Sequence, residues 1–520
     1  MTARLKEIKK KPYIVFGIGM ILFVILCYNV LILHNGYRFL NSDDSSELVL
    51  ARILASQHSV LTTDWLYSSE LRVFNTNLVF APMFLLFSSW SHVRAVGGSI
   101  MLLLYVTAYI AIPYAWRYET RWFYLTAFIL IMPFANPWQF FGLKMYYIPH
   151  VFITFVSFSL AGFIYHASSA AGAAAYTAAL GIFAFVAGLG GARSPEYTYA
   201  PLLLAAGIVF VNEKLKEDGG GERGLRTRRV LLASLISAVA SALGYLVNDR
   251  ILSGIYSYHS YDNVSFIRFT FEKLEWAIDC ILAAFGYVIG EYFISFGGIC
   301  NVMAFVMTVL FPVSFIVLYR QRHKMETVQK YMYYFGLITF VLNTFLMIVG
   351  QNDEYADRYI AIGMVPAIMM IDLVYRICIR DKRTSRILGV AVLAFFLIIG
   401  AKGYLDLWHV GGNGERLGYI NYMLENGYDY GYATFWNANI TTEMSDGAID
   451  MTSLDSNAEK PVIFKWLTDR RLIEGEHDKA ALVLTNEELY MYEGENPVYS
   501  DDHYSVFDVS GVSFASSGTE

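Results

Sequence analysis

Apolar runs long enough to cross a bilayer recur from Tyr13 to Ala401, and this repetition leaves few folds open to the chain. About 20 apolar residues suffice for one helical crossing, and residues 13–33 meet that length. Further runs lie near 78–90, 95–115, 122–134, 148–165, 173–189, 197–211, 230–247, 299–318, 331–349, 359–375 and 387–401. Of 520 residues, 56% are hydrophobic and only 16% are charged, a balance unlike that of soluble domains. The chain therefore reads as an all-α polytopic membrane domain with about 11 to 13 transmembrane helices, followed by a small tail of different character.

Charge gives the expected orientation. Arg4, Lys6, Lys9, Lys10 and Lys11 precede the first run, and Lys and Arg crowd the connectors 213–229, 320–330 and 376–386. The positive-inside rule places all of these in the cytoplasm of a plasma-membrane protein. Residues 248–298, 350–358 and everything from Lys402 then lie outside. The number of runs before Glu213 is odd, so one of them must fail to cross, and 78–90 and 122–134 are the shortest. Residues 13–33 lack a small-residue cleavage site and read as an anchor. Residues 271–292 carry Glu272, Lys273, Glu275, Asp279 and Glu291 among apolar neighbours, which suits an interfacial or re-entrant helix.

From about Gly403, charged residues, Gly, Asn and Tyr become more frequent. The expected division is a transmembrane domain over 1–402, with outer loops near 35–77 and 248–298, and an extracytoplasmic α/β domain over 403–520. In that domain 416–424 reads as an amphipathic helix stopped by Gly427. Segments 430–436, 462–466, 481–484 and 504–509 read as strands or buried turns; Trp436, Asn437 and Asn439 could bind an acceptor, with the core the favoured place for Trp436. Cys27, Cys280, Cys300 and Cys378 have no CxxC spacing and no accompanying His cluster, so neither a zinc site nor a disulfide framework is indicated. There is no Walker or GxGxxG pattern for a nucleotide and no aromatic-interleaved basic patch for nucleic acid. The net charge of −6 implies no partner.

The acidic cluster Asp43, Asp44 and Glu47 opens the first outer loop. Leu50, Ile53 and Leu54 recur at helical spacing behind it, so 44–56 reads as an amphipathic helix at the membrane surface. Ser42 or Asp43 could cap that helix, and Asp44 with Glu47 imitates a capping box. Yet a cap needs one acid and this stretch has three. The alternatives are a catalytic base, a metal ligand or an ion-pathway element.

Candidate cations on the outer side are Lys144, His150, Arg193, Arg268 and Arg358. Lys144 and His150 flank Tyr146 and Tyr147 at the start of a run, where snorkelling into an aromatic belt is the commoner role. Two glycines and Pro195 hold a tight loop presenting Arg193 and Glu196, which either pair with each other or face a ligand. Asp353, Glu354, Tyr355 and Asp357 lead into Arg358 and another run. Tyr256, Tyr258, His259 and Tyr261 offer rings that could stack on sugars or anchor a loop at headgroup level.

An N-in first helix, an acidic pair opening the first outer loop, many apolar spans and a C-terminal outer domain resemble the C-type (GT-C) glycosyltransferase superfamily, in its bacterial polyprenyl-phosphate-sugar-dependent form. The resemblance covers most of the chain as architecture, while its matching motif is short. Residues 430–439 (YGYATFWNAN) also look like the tails of bacterial membrane proteins of this kind. Neither a WWD-type signature nor a MIR-like insertion is present, which argues against the oligosaccharyltransferase and protein O-mannosyltransferase branches. The resemblance implies that Asp43 or Asp44 acts as catalytic base or holds the acceptor.

Sugar transfer from a lipid phosphate needs a base at the acceptor oxygen and cations at the departing phosphate. The expected function is glycosyl transfer from a polyprenyl-phosphate-sugar donor to a cell-envelope glycan, lipid or protein on the outer face. Catalysis is expected from Asp43, Asp44 and Glu47, donor-phosphate binding from Arg193, Arg358, Lys144 and His150, and substrate contacts from Glu196, Tyr258, His259 and Tyr355. A divalent cation such as Mg2+ or Mn2+ could sit on clustered carboxylates, though nothing in the sequence requires one. Alternatives are a transporter or flippase, or a polymerase or ligase, of lipid-linked glycans.

Overall fold

The computed structural model describes residues 11–68, 71–215, 221–258, 270–349, 358–379, 381–475, 477–494 and 496–516. Arg4, Lys6, Lys9 and Lys10 lie outside them. Nine helices among the described residues are long and apolar enough to cross a membrane: Pro12–Phe39, Trp90–Ala115, Ile148–His166, Ala170–Gly188, Glu222–Gly254, Phe296–Arg320, Thr327–Val349, Arg358–Ile377 and Arg386–His409. This is fewer than the 11 to 13 expected, and the runs that fall short show why. In 78–90 the helix Asn77–Phe84 contains Pro82 and stops after eight residues. In 122–134 the helix Arg121–Thr126 tightens into the 3-10 segment Ala127–Ile131, just before Pro133 bars further helix. In 197–211 the π turn Pro195–Tyr199 leaves only 15 α-helical residues, Ala200–Lys214.

The chain forms two compact units. The first comprises Met1–Cys27, Met101–Asp249 and Asn263–Asp406, and the second Tyr28–Ile100, Arg250–Asp262 and Leu407–Glu520.

In the first unit, Ala170–Gly188 and Glu222–Arg250 meet through small residues. A Cβ on Gly188 would overlap the Ser241 carbonyl oxygen, and one on Gly244 that of Phe185. Ser234, Ser237 and Ser241 are buried, the small-residue packing typical of membrane helices. Gly244→Val is expected to lower unfolding stability by about 1–3 kcal/mol through overpacking. A thermal melt in detergent measures this, and an unchanged midpoint would deny the close approach. At the ends of two other helices, Lys330 Nζ lies 2.8 Å from Glu213 Oε1, both side chains buried. Within 271–292 only Phe271–Ala284 is helical, too short to span. Lys273, Ala277, Cys280 and Ala284 turn inward, while Phe271 and Ile278 remain exposed.

In the second unit the helix Ser42–Gln57 corrects the expectation of a surface-lying segment. Its side chains are buried on most sides, because it packs against Phe435–Met444 and Asn77–Phe84. Protein covers it. The expected α/β character of the tail appears as a five-stranded sheet of β1 (Tyr430–Thr434), β2 (Asp450–Leu454), β3 (Ala481–Thr485), β4 (Tyr499–Ser500) and β5 (Tyr504–Asp508), in the order β2-β1-β3-β5-β4. β1 runs parallel to β2 and β3, and β5 antiparallel to β3 and β4. Successive residues face opposite sides of a strand. Ala433, Val483 and Val506 therefore join one core with Tyr419 and Met423, while Tyr432, Leu482 and Phe507 join another with Met491.

The helix expected at 416–424 is Arg416–Glu425, and Gly427 follows at φ +72°, a conformation that glycine adopts without steric cost. Residues 462–466 make only isolated bridges, at Ile463. Trp436 is not a core residue. After β1 the chain enters the helix Phe435–Met444, whose turn buries Phe435 and leaves Trp436 54% exposed.

Candidate functional site

Lys144, His150, Arg193 and Arg358 come together in the first unit. The helix Asn136–Gly142 carries Phe140 and ends in a reversed turn: Lys144 N donates to Gln139 O at 2.7 Å, and Met145 adopts φ +67°. A non-glycine residue in that region is uncommon. The turn delivers Tyr146 and Tyr147, tilted 38° to each other with ring centroids 4.8 Å apart, to the start of the helix Ile148–His166.

From the second side comes the loop expected from its glycines. Gly191 has φ +102°, and Gly190 N and Gly191 N donate to Ala187 O and Gly188 O, each at 3.1 Å. The π turn that opens at Pro195 begins two residues after Arg193, with Ser194 between them. Such single-turn π elements are frequent at functional sites. The third side is the start of Arg358–Met364.

Aromatic faces hold these cations. Arg193 lies 5.8 Å from the Tyr147 centroid and 5.6 Å from that of Tyr359. Arg358 lies 5.3 Å from Tyr359 and 5.6 Å from Phe140, and Lys144 Nζ is 4.9 Å from Phe140. Tyr147 in turn meets Tyr359 at 6.2 Å and the buried His150 ring at 6.0 Å. Two arginines therefore share Tyr359, and Arg358 and Lys144 share Phe140. A cation over a ring face is attracted by its quadrupole, which offsets part of the repulsion among these like charges, and Arg358 also hydrogen-bonds Tyr359. Guanidinium and ammonium groups gathered in this way suit a phosphate. Glu196 sits half-buried in the first turn of the π segment.

The same short helix reaches an apolar cavity of about 310 Å3. Trp138, two residues before Phe140, lines it with Phe285, Phe311, Met364 and Phe396.

The acids belong to the second unit. Asn41 caps their helix, accepting from Asp44 N at 2.8 Å. Neither Ser42 nor Asp43 does so, because Ser42 Oγ donates to Phe435 O instead. Asp44 is buried, and Arg94 Nη2 donates to its carbonyl oxygen at 3.1 Å. Asp43 and Glu47, one helical turn apart, are half-exposed, and the Thr76 hydroxyl donates to Glu47. Behind Asp44 lies a buried ion pair: Arg94 Nε and Nη2 each lie 2.8 Å from a Glu443 carboxylate oxygen. Tyr28 Oη donates to Arg94 O at 2.9 Å. The trio thus divides between core and surface. Among the described residues no group of three or more His, Cys, Asp or Glu side chains is placed to hold a metal ion.

Tyr258 also lies in the second unit, bridged to Tyr67. His259, Arg268 and Tyr355 lie outside the described residues. Sequence reasoning passed over Phe140, Arg94 and Glu443. For Arg94 a signal existed, since an arginine immediately before the membrane-length apolar run 95–115 demands a partner if the helix draws it out of water. Phe140 gave none, being one aromatic among many. No protein-family model matches this chain, and no curated protein matches it.

Proposed function

We propose that this chain is an integral membrane glycosyltransferase that moves a sugar from a polyprenyl-phosphate donor to a hydroxyl of a cell-envelope acceptor on the outer face. The observation that supports this reading most is the meeting of Arg193, Arg358 and Lys144 on the rings of Phe140, Tyr147 and Tyr359. Such a cluster suits a lipid-borne phosphate, and the apolar cavity served by the same short helix suits an isoprenoid segment.

In the reaction the bond from the anomeric carbon to the phosphate oxygen breaks, and the electron pair leaves with polyprenyl phosphate. The arginines bind the charge that develops there. The acceptor oxygen bonds to the anomeric carbon and its proton passes to a carboxylate. The resemblance gives that step to Asp43 or Asp44; Asp43 is the half-exposed one of the two, and Glu47 shares its face. Asp44 is a positioning residue, buried beside Arg94.

In proteoliposomes supplied with radiolabelled polyprenyl-phosphate sugar and cell-envelope extract, Asp43→Asn is expected to lower transfer about 100-fold or more while the melting profile stays unchanged. Asp44→Asn should instead lower the melting temperature. Undiminished transfer by Asp43→Asn would remove this residue as base.

A further inference from the structure

The reaction as proposed uses no residue of a polar cleft in the second unit. Its walls come from stretches far apart in sequence. Trp65 and Leu66 pair antiparallel with Thr468 and Asp469, Arg470 N donates to Asp64 O at 2.7 Å, and Tyr67 N donates to Ser257 O at 2.9 Å. These bonds bring Tyr256, Tyr258, Lys465, Arg470, Ile473 and Glu474 around a space of about 550 Å3, within the size range of ligand pockets.

Tyr67 steadies the aromatic wall. Its oxygen accepts from Thr62 N at 3.1 Å, and its ring meets Tyr256 edge-on at 6.2 Å. Burial pushes the Tyr67 phenol up to about 12, so it stays neutral at physiological pH. Arg470 Nε lies 2.6 Å from Glu474 Oε1, and these two charges cancel. Lys465 is half-buried and faces the cleft with no carboxylate partner among the described residues. Among the described residues the cleft therefore presents tyrosine rings, a donor and an acceptor from the Arg470–Glu474 pair, and one positive charge, that of Lys465, without a carboxylate beside it.

Sugar rings stack their C–H faces on aromatic side chains, and their hydroxyls need donors and acceptors in equal supply. Lys465, the one such cation among the described lining residues, is too little for a polyphosphate but matches one carboxylate or phosphate per few sugars. We infer that this cleft binds a segment of anionic glycan. The inference concerns binding alone and stands apart from the transfer reaction.

The test is calorimetric titration of the full-length protein in nanodiscs. The probe is a hexasaccharide alternating glucuronate and N-acetylglucosamine, and maltohexaose is the neutral control. The acidic probe should bind, and the neutral one about tenfold more weakly or not at all. Lys465→Gln and Tyr256→Leu should each weaken the acidic probe about tenfold. Lys465→Gln changes a partly exposed side chain, so it keeps the test meaningful should Tyr256→Leu fold poorly. Absence of binding, equal affinity for both probes, or indifference to both substitutions would overturn the inference. A separate titration of Arg193→Gln with polyprenyl phosphate reads the transfer site, so either idea can fail without the other.

Discussion

Replacement of Arg193 by glutamine is expected to lower glycosyl transfer by about 100- to 1,000-fold, the usual cost of removing one preorganised donor from a developing anion. Glutamine keeps a polar, uncharged amide but is shorter than arginine and loses both the charge and the planar fork. Arg358→Gln should act in the same direction. The two losses should not add, because both guanidinium groups lean on the Tyr359 ring and residues sharing a partner are coupled. Lysine at 193 should recover only part of the activity, since an ammonium cannot bind phosphate in two places at once. Transfer from a labelled polyprenyl-phosphate sugar in proteoliposomes measures all four variants. Transfer within twofold of the parent in both Arg193→Gln and Arg358→Gln would end the phosphate reading of the cluster.

Removing the Glu443 carboxylate should be the most destabilising single change. Arg94 and Glu443 are both buried and joined by two hydrogen bonds of 2.8 Å. Glu443→Leu strands a guanidinium in the core, which costs about 3–5 kcal/mol when one member of a buried pair is lost. Arg94→Met strands the carboxylate and should cost a similar amount. The double variant Arg94→Met/Glu443→Leu removes both charges and should recover most of the loss. Melting followed by circular dichroism in detergent, together with resistance to protease, reads these effects. A double variant as unstable as the singles would show that the packing shape matters more than the charges. Arg94 also donates to Asp44 O, so the single variants should loosen the first turn of the helix that carries Asp43.

Much of the scaffold was legible in the residues. The long apolar runs announced most of the crossing helices because length and composition are local properties. Two of the three runs that fall short, 78–90 and 122–134, were the shortest, but Pro82, Pro133 and Pro195 gave no signal by themselves, because whether a proline kinks, ends or merely opens a helix depends on what packs around it. The cap of the acidic helix was misplaced by one or two residues. Asn41, Ser42 and Asp43 are all good caps in isolation, and the Phe435 carbonyl, some four hundred residues away in sequence, claimed Ser42. Trp436 looked like core because large aromatics are usually buried. A change from strand to helix at Thr434 turned it to the surface.

Lys144, Arg193 and Arg358 were each marked by their position at the ends of apolar runs, and local chemistry offered every one of them a bland role as a belt or loop charge. Only packing brings them to the same rings, because Phe140, Tyr147 and Tyr359 belong to helix ends that no periodicity relates. The same holds for Arg94 and Glu443. Desolvation forces each to find an opposite charge, and the fold alone names it. By itself, then, the order of amino acids determined which stretches leave water and which residues carry charge into apolar surroundings, since those depend on side chains near one another in the chain. The partners of those charges were decided by tertiary contact, where electrostatic attraction and burial act through space without regard to sequence distance.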